Sequence, residues 1–134
     1  MIHLDTSFLI DLLREGAKPA GGPAHRLLRT LAGDTLAISI HVACELHAGA
    51  ALSRAPASEH ARVADLCSAL DVVSPDSRFP PMYAQLFGEL RRRGESVATM
   101  DLLIATAARV DDARRVTRNA RDFERIPGLH VVSW

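Results

Sequence analysis

The chain has 134 residues, 48% of them hydrophobic, which suits one compact domain with a real core and excludes a disordered polypeptide. Its 16 basic residues balance 16 acidic ones, and all but Lys18 of the basic set are arginine, whose fork grips phosphate in a way lysine cannot, although a high-GC genome would also enrich it. The N-terminus carries no basic segment leading into an apolar stretch, no apolar run spans a bilayer, and two cysteines, Cys44 and Cys67, make no disulfide framework, so the expectation is a reducing cytoplasm.

In chain order, Ile2–Leu4 predicts a buried strand that stops at Asp5, and Phe8–Arg14 a helix. Lys18–Pro23 predicts a loop. Pro23–Ala32 predicts a helix with Leu27, Leu28 and Leu31 on one face, closed by Gly33. Thr35–Ser39 predicts a second strand and Val42–Leu52 a helix. Ser58–Leu70 predicts an amphipathic helix with Ala61, Ala64, Leu66 and Leu70 inward. Asp71–Val73 predicts a short strand, and Phe79–Arg93 a long helix ending in a basic turn and a glycine stop, "RRRG". Met100–Val110 is apolar nearly all round and predicts a buried helix. Arg115–Thr117 and His130–Ser133 predict the last strands. Strands alternating with helices predict an α/β fold, a mostly parallel sheet of four to five strands covered on both faces. Asp76–Pro81 is too short to divide it, so residues 1–134 form one expected domain.

Ligand crevices in open α/β sheets lie outside the carboxyl ends of the strands. Asp5 ends the first strand, Glu45 lies one to two turns into the helix after the second, Asp101 is in the first turn of the buried helix, and Asp122 follows the fourth strand with Thr117 and Asn119. Taken singly, Asp5 and Asp101 read as helix N-caps, Glu45 as a solvated face and Asp122 as a turn residue. Taken together, four carboxylates in one crevice would repel and raise one another's pKa values. A hard divalent cation with oxygen ligands, such as Mg²⁺, removes that problem. On repulsion alone, Asp5→Asn is expected to leave the metal-free fold as stable or more so.

Four segments, in order along the whole chain, resemble the PIN-domain ribonucleases, and within them the VapC toxins of type II toxin–antitoxin pairs. They are "LDTSFLIDLL" (4–13), "ISIHVACELHAG" (38–49), "MDLLIATAA" (100–108) and "VTRNARDFERIPGLHVVSW" (116–134). The family often has asparagine where Ser7 stands and threonine where Val42 stands, and it varies in whether a residue like Asn119 or Asp122 completes the site. The resemblance implies an α/β/α sandwich and a metal-dependent endoribonuclease that cuts transfer or ribosomal RNA loops, leaving 3′-hydroxyl and 5′-phosphate ends. It implies one or two Mg²⁺ ions, with Mn²⁺ as a substitute, held by Asp5 and Asp101 with Glu45 and Asp122 completing the set. Thr6, Ser7, Thr117 and Asn119 would be supporting polar groups, a VapB-like antitoxin the cognate partner, and a homodimer the assembly. Apolar positions on the helices between Pro56 and Arg93 also favour a homodimer. Arg118 and Arg121 are the best-placed RNA contacts of a series that includes Arg114, Arg115 and Arg125, with Arg91–Arg93 read first as a helix-dipole complement.

Other classes fit less well. A haloacid-dehalogenase phosphatase needs a second aspartate where Ser7 stands, a phosphoacceptor receiver needs a late lysine, and no P-loop signature occurs. His41, Cys44 and His47 spread over about a third of a helix circumference and lack a fourth zinc ligand; Cys44 reads as a small buried hydrophobe. The remaining alternative is a catalytically silent PIN-scaffold module that binds RNA or protein, which has no need for four mutually repelling acids.

Overall fold

The computed structural model describes residues 1–16 and 21–134; half of the loop expected at Lys18–Pro23, residues 18–20, lies outside them. The element order is β1(Ile2–Leu4), α1(Thr6–Glu15), α2(Pro23–Thr30), β2(Leu36–Ser39), α3(Ile40–Ala51), α4(Pro56–Ser68), β3(Asp71–Val73), α5(Phe79–Arg92), α6(Thr99–Val110), β4(Arg114–Val116), α7(Ala120–Phe123) and β5(Val131–Val132). The five strands form one sheet in the order β3-β2-β1-β4-β5, and every pairing is parallel. The expected α/β architecture is therefore present, wholly rather than mostly parallel.

The chain runs from β1 outward through β2 to β3, then returns to the other side of β1 for β4 and β5. Strand order reverses between β1 and β4, where open sheets of this type leave a crevice at their carboxyl ends. His3 pairs with Arg115 and Leu4 with Val116, so Asp5 and Thr117 emerge side by side at that reversal. The Asp5 amide continues the ladder by donating to Val116 O at 2.9 Å.

One core holds Ile2, Leu4, Phe8, Ile38, Val42, Ile104 and Val116; a second joins Leu86, Leu90, Leu102, Phe123 and Ile126 beneath α5 and α6. α6 is buried along most of its length, as its unbroken apolar pattern requires. α5 ends as "RRRG" implies: Gly94, at φ +67, lets its own amide and that of Glu95 reach back to Arg91 O and Leu90 O. Two expectations change. α4 starts at Pro56, two residues before the predicted start, and turns Val63 inward with Leu66, Cys67 and Leu70, leaving Ala61 and Ala64 exposed. The helix α7 is too short to show any apolar period. Among the described residues no helix is long and apolar enough to cross a membrane.

Candidate active site

Asp5 has extended backbone at the mouth of the reversal, with no capping bond to α1, so its N-cap reading does not hold. Its carboxylate is instead built into the site. Oδ2 accepts from Thr117 Oγ1 at 2.7 Å and from Ser7 Oγ at 3.1 Å, and Oδ1 accepts from Arg115 Nη2. Thr117 is buried, and its hydroxyl also accepts the Asn119 amide at 3.0 Å, fixing the chain as it leaves β4. Ser7 Oγ accepts the Arg118 amide at 3.3 Å. Of the expected supporting polar groups, Thr117 and Ser7 thus bond the first acid.

Glu45 lies midway along α3, where Ser39 provides the N-cap by accepting the Val42 amide, so valine at 42 leaves the cap intact. Glu45 Oε1 accepts from Thr6 Oγ1 at 2.7 Å, which ties α3 to the start of α1. Asp101 is in the first turn of α6 without capping it; the N-cap position is Ala98. Burial, then the charges of Asp5, Glu45 and Asp122, push the Asp101 carboxyl above the ordinary carboxylate range, while Arg115 opposes them. Those influences bring all four acids together electrostatically, from four separate segments.

Asp122 and Asn119 differ. Asp122 is in the first turn of α7, lines a 160 Å³ cavity with Asp101 and Arg125, and accepts from Arg125 Nη2 at 3.3 Å. Asn119 is exposed, does not line that cavity, and makes no capping bond with its side chain.

All the donors in this set are oxygens, the chemistry a hard cation takes. Among the described residues no three His, Cys, Asp or Glu side chains close into a ready-made metal cage. An all-oxygen set is of the kind that suits an ion such as Mg²⁺, which takes one or two carboxylates and keeps several waters. The zinc reading finds no support: Cys44 is exposed, correcting its assignment to the interior, and His47 pairs with His60.

The arginines divide differently from their spacing. Arg115 is fully buried, its guanidinium over the Phe123 ring at 4.6 Å, which removes it from the RNA-contact candidates. Asp5→Asn would then strip a buried cation of its counter-charge, so the expectation that this change spares the metal-free fold is reversed. Arg114 pairs with Asp34 and Arg125 with Asp122. Arg118 pairs with Asp11 and lies over the Trp134 ring, while Arg121 is exposed. Sequence reasoning missed Asp11, a buried acid that also accepts from Trp134 Nε1 at 3.2 Å, because its partners are more than a hundred residues away. It also missed Arg115 as a site residue, although an arginine inside a short strand of a parallel sheet was a visible anomaly.

The family model of the PIN domain matches residues 2–129. Ribonuclease VapC2 of Rickettsia felis is 32% identical over 101 residues, 75% of each chain. A tRNA(fMet)-specific endonuclease VapC of Shigella flexneri is 33% identical over 131 residues, 98% of this chain and 96% of that one. Among solved structures, VapBC2 of Rickettsia felis bound to a promoter DNA fragment superposes with a TM-score of 0.88 at 29% identity, covering 100% of this chain and 99% of that one. DNA-bound VapBC of Salmonella typhimurium gives 0.86 at 30% identity, with 99% and 97% covered.

Proposed function

The chain belongs to the PIN-domain family and is a VapC ribonuclease, the toxin of a toxin–antitoxin pair, and from that premise we propose that it cleaves RNA at the cluster of Asp5, Glu45, Asp101 and Asp122 with a divalent cation. The observation that carries the site assignment is that the charges of Asp5, Glu45 and Asp122 all reach the partly buried Asp101 carboxyl near the strand-order reversal. Mg²⁺ is the natural ion and Mn²⁺ its substitute, with Asp5 and Asp101 as the principal holders and Glu45 and Asp122 acting directly or through water. Once bound, the ion supplies a lowered pKa for water and a counter-charge for the phosphoryl oxygens.

The chain's own residues do the rest. Thr117 and Ser7 hold Asp5 in one rotamer, and Thr6 holds Glu45. Precise placement of the reacting groups lowers the entropic part of the barrier. Of Asn119 and Asp122, the cavity shared with Asp101 favours Asp122 as the fourth acid.

The substrate is a single-stranded loop of transfer or ribosomal RNA, with tRNA supported by the tRNA(fMet)-specific relatives. The duplex form of RNA offers mainly its backbone and a shallow groove, whereas a loop can feed one strand to a recessed site. The partner is a VapB-like antitoxin, as in the related complexes. A 270 Å³ groove between α1, α3 and α4 is lined by Ile10, Leu13, Leu46 and Val63, with Glu45 and the charged Arg14, Glu59 and Arg62 also in its wall, which suits an amphipathic antitoxin segment that ends near the acids. The toxin is a homodimer built of one domain per chain, and it acts in the cytoplasm, where Cys44 and Cys67 stay as free thiols.

Cleavage of a stem-loop RNA in Mg²⁺ by the wild type and by Asp101→Asn tests this reading. Loss of cutting in the variant and slow cutting of the same sequence as a duplex are expected. Wild-type rates in Asp101→Asn, or faster cutting of the duplex, would reject the assignment and the catalytic role with it.

A further inference from the structure

Among the described residues Arg115 is the largest fully buried side chain, and it is a charged one. It enters from β4, stacks on Phe123 of α7, and donates through Nη2 to Asp5. Its Nε and Nη1 are buried without a hydrogen-bond partner. An apolar side chain of that size would fill the space without taking a charge out of water. Burial is the largest influence on the guanidinium and lowers its pKa, while Asp5 first, then Asp101 and Glu45, favour the charged form. The charged groups that act on it include three of the four site acids, and His3 lies beside it on the neighbouring strand.

We infer that Arg115 is a fixed counter-cation of the acid cluster that takes the place of a second divalent ion, so that each chain holds one ion. This rests on the metal-dependent reading above. Four ionised carboxylates carry four negative charges, which two divalent ions would balance. With the Arg115 guanidinium in place three remain, and a single divalent ion leaves the cluster nearly as neutral as two would without it. The guanidinium also takes a lone pair of Asp5 Oδ1, while Thr117 and Ser7 occupy Oδ2, so Asp5 has little capacity left to bridge two ions. Arg115 acts here as a positioning residue: it touches Asp5, not the phosphate.

Titration of the metal-free full chain with Mn²⁺, followed by the loss of the free-ion EPR signal, counts bound ions without any reaction. The wild type is expected to bind one ion per chain, Arg115→Lys one, and Arg115→Met two. A merely structural role for Arg115 would not change the count. Two ions on the wild type, or one on a folded Arg115→Met, would overturn the proposal. If Arg115→Met does not fold, the wild type and Arg115→Lys decide it, since two ions on either is incompatible with a fixed side-chain cation standing in for the second ion. No ion on the wild type would reject the metal reading itself, and this proposal with it.

Discussion

Asp5→Asn in the absence of metal opposes two effects at one carboxylate. Repulsion among the acids favours the variant, and loss of the Arg115 partner disfavours it. The pair is buried, with side-chain exposures of 0% for Arg115 and 8% for Asp5. Breaking a buried ion pair by removing one partner costs about 3–5 kcal/mol, because the survivor is left uncompensated. Relief of repulsion returns roughly 1 kcal/mol, since Asp101 and Glu45 are only partly shielded from solvent and act through a high effective dielectric. The net expectation is a loss of about 2–4 kcal/mol, or roughly 6–20 °C in Tm for a chain of this length. Thermal and urea melts in EDTA of the wild type, Asp5→Asn, Arg115→Met and the double variant measure it. The double variant should lose less than the sum of the singles by about 2 kcal/mol. An Asp5→Asn protein as stable as the wild type in EDTA would refute the reasoning.

Glu15 stands in for the missing cap of α2: its carboxylate accepts the amides of Ala24 and His25 and the His25 ring. Burial pushes its pKa up, but those donors outweigh it and bring the value down to about 2. A depressed carboxylate gives stability above its unfolded pKa that is lost as pH falls toward 2, so acid melts should show Glu15→Gln less pH-dependent than the wild type below about pH 4.5. Arg121→Ala should flatten the salt dependence of RNA binding by about one unit, measured on an inactive Asp101→Asn background. Arg118→Ala should flatten it less and cost stability instead, since its guanidinium is committed to Asp11 and Trp134. Size-exclusion with light scattering at tens of micromolar should give a dimer; a monomer would remove the homodimer from the reading.

The places of Asp5 and Asp101 along the chain were legible because each sits at the edge of an element whose period is plain. Asp5 ends an apolar run, and Asp101 opens a helix that is apolar all round. Their surroundings were not legible, because those depend on contacts across the whole chain. Thr117 and Arg115 meet Asp5 from more than a hundred residues away, through a β1–β4 pairing that no local pattern encodes. An arginine in that strand is an anomaly the sequence displays, but in "RRVT" two arginines in a row give no period of two, so nothing local says which of them is buried and which faces Asp34. The phase error in α4 has a simpler cause. Pro56 at the first helical turn is a start signal with fixed φ, and placing the start at Ser58 instead favoured Ala61 and Ala64 over Val63.

The role assigned to the acids is tested most directly by the ends they leave on RNA. A stem-loop whose cleaved nucleotide carries a single 2′-deoxy sugar removes the internal nucleophile and leaves water as the only one available. With Mg²⁺ present, the protein should cut this RNA at close to the rate of the unmodified one and leave 5′-phosphate and 3′-hydroxyl ends, with no cutting in EDTA. A 2′,3′-cyclic phosphate from the unmodified RNA, loss of cutting on 2′-deoxy substitution, or full activity in EDTA would contradict it.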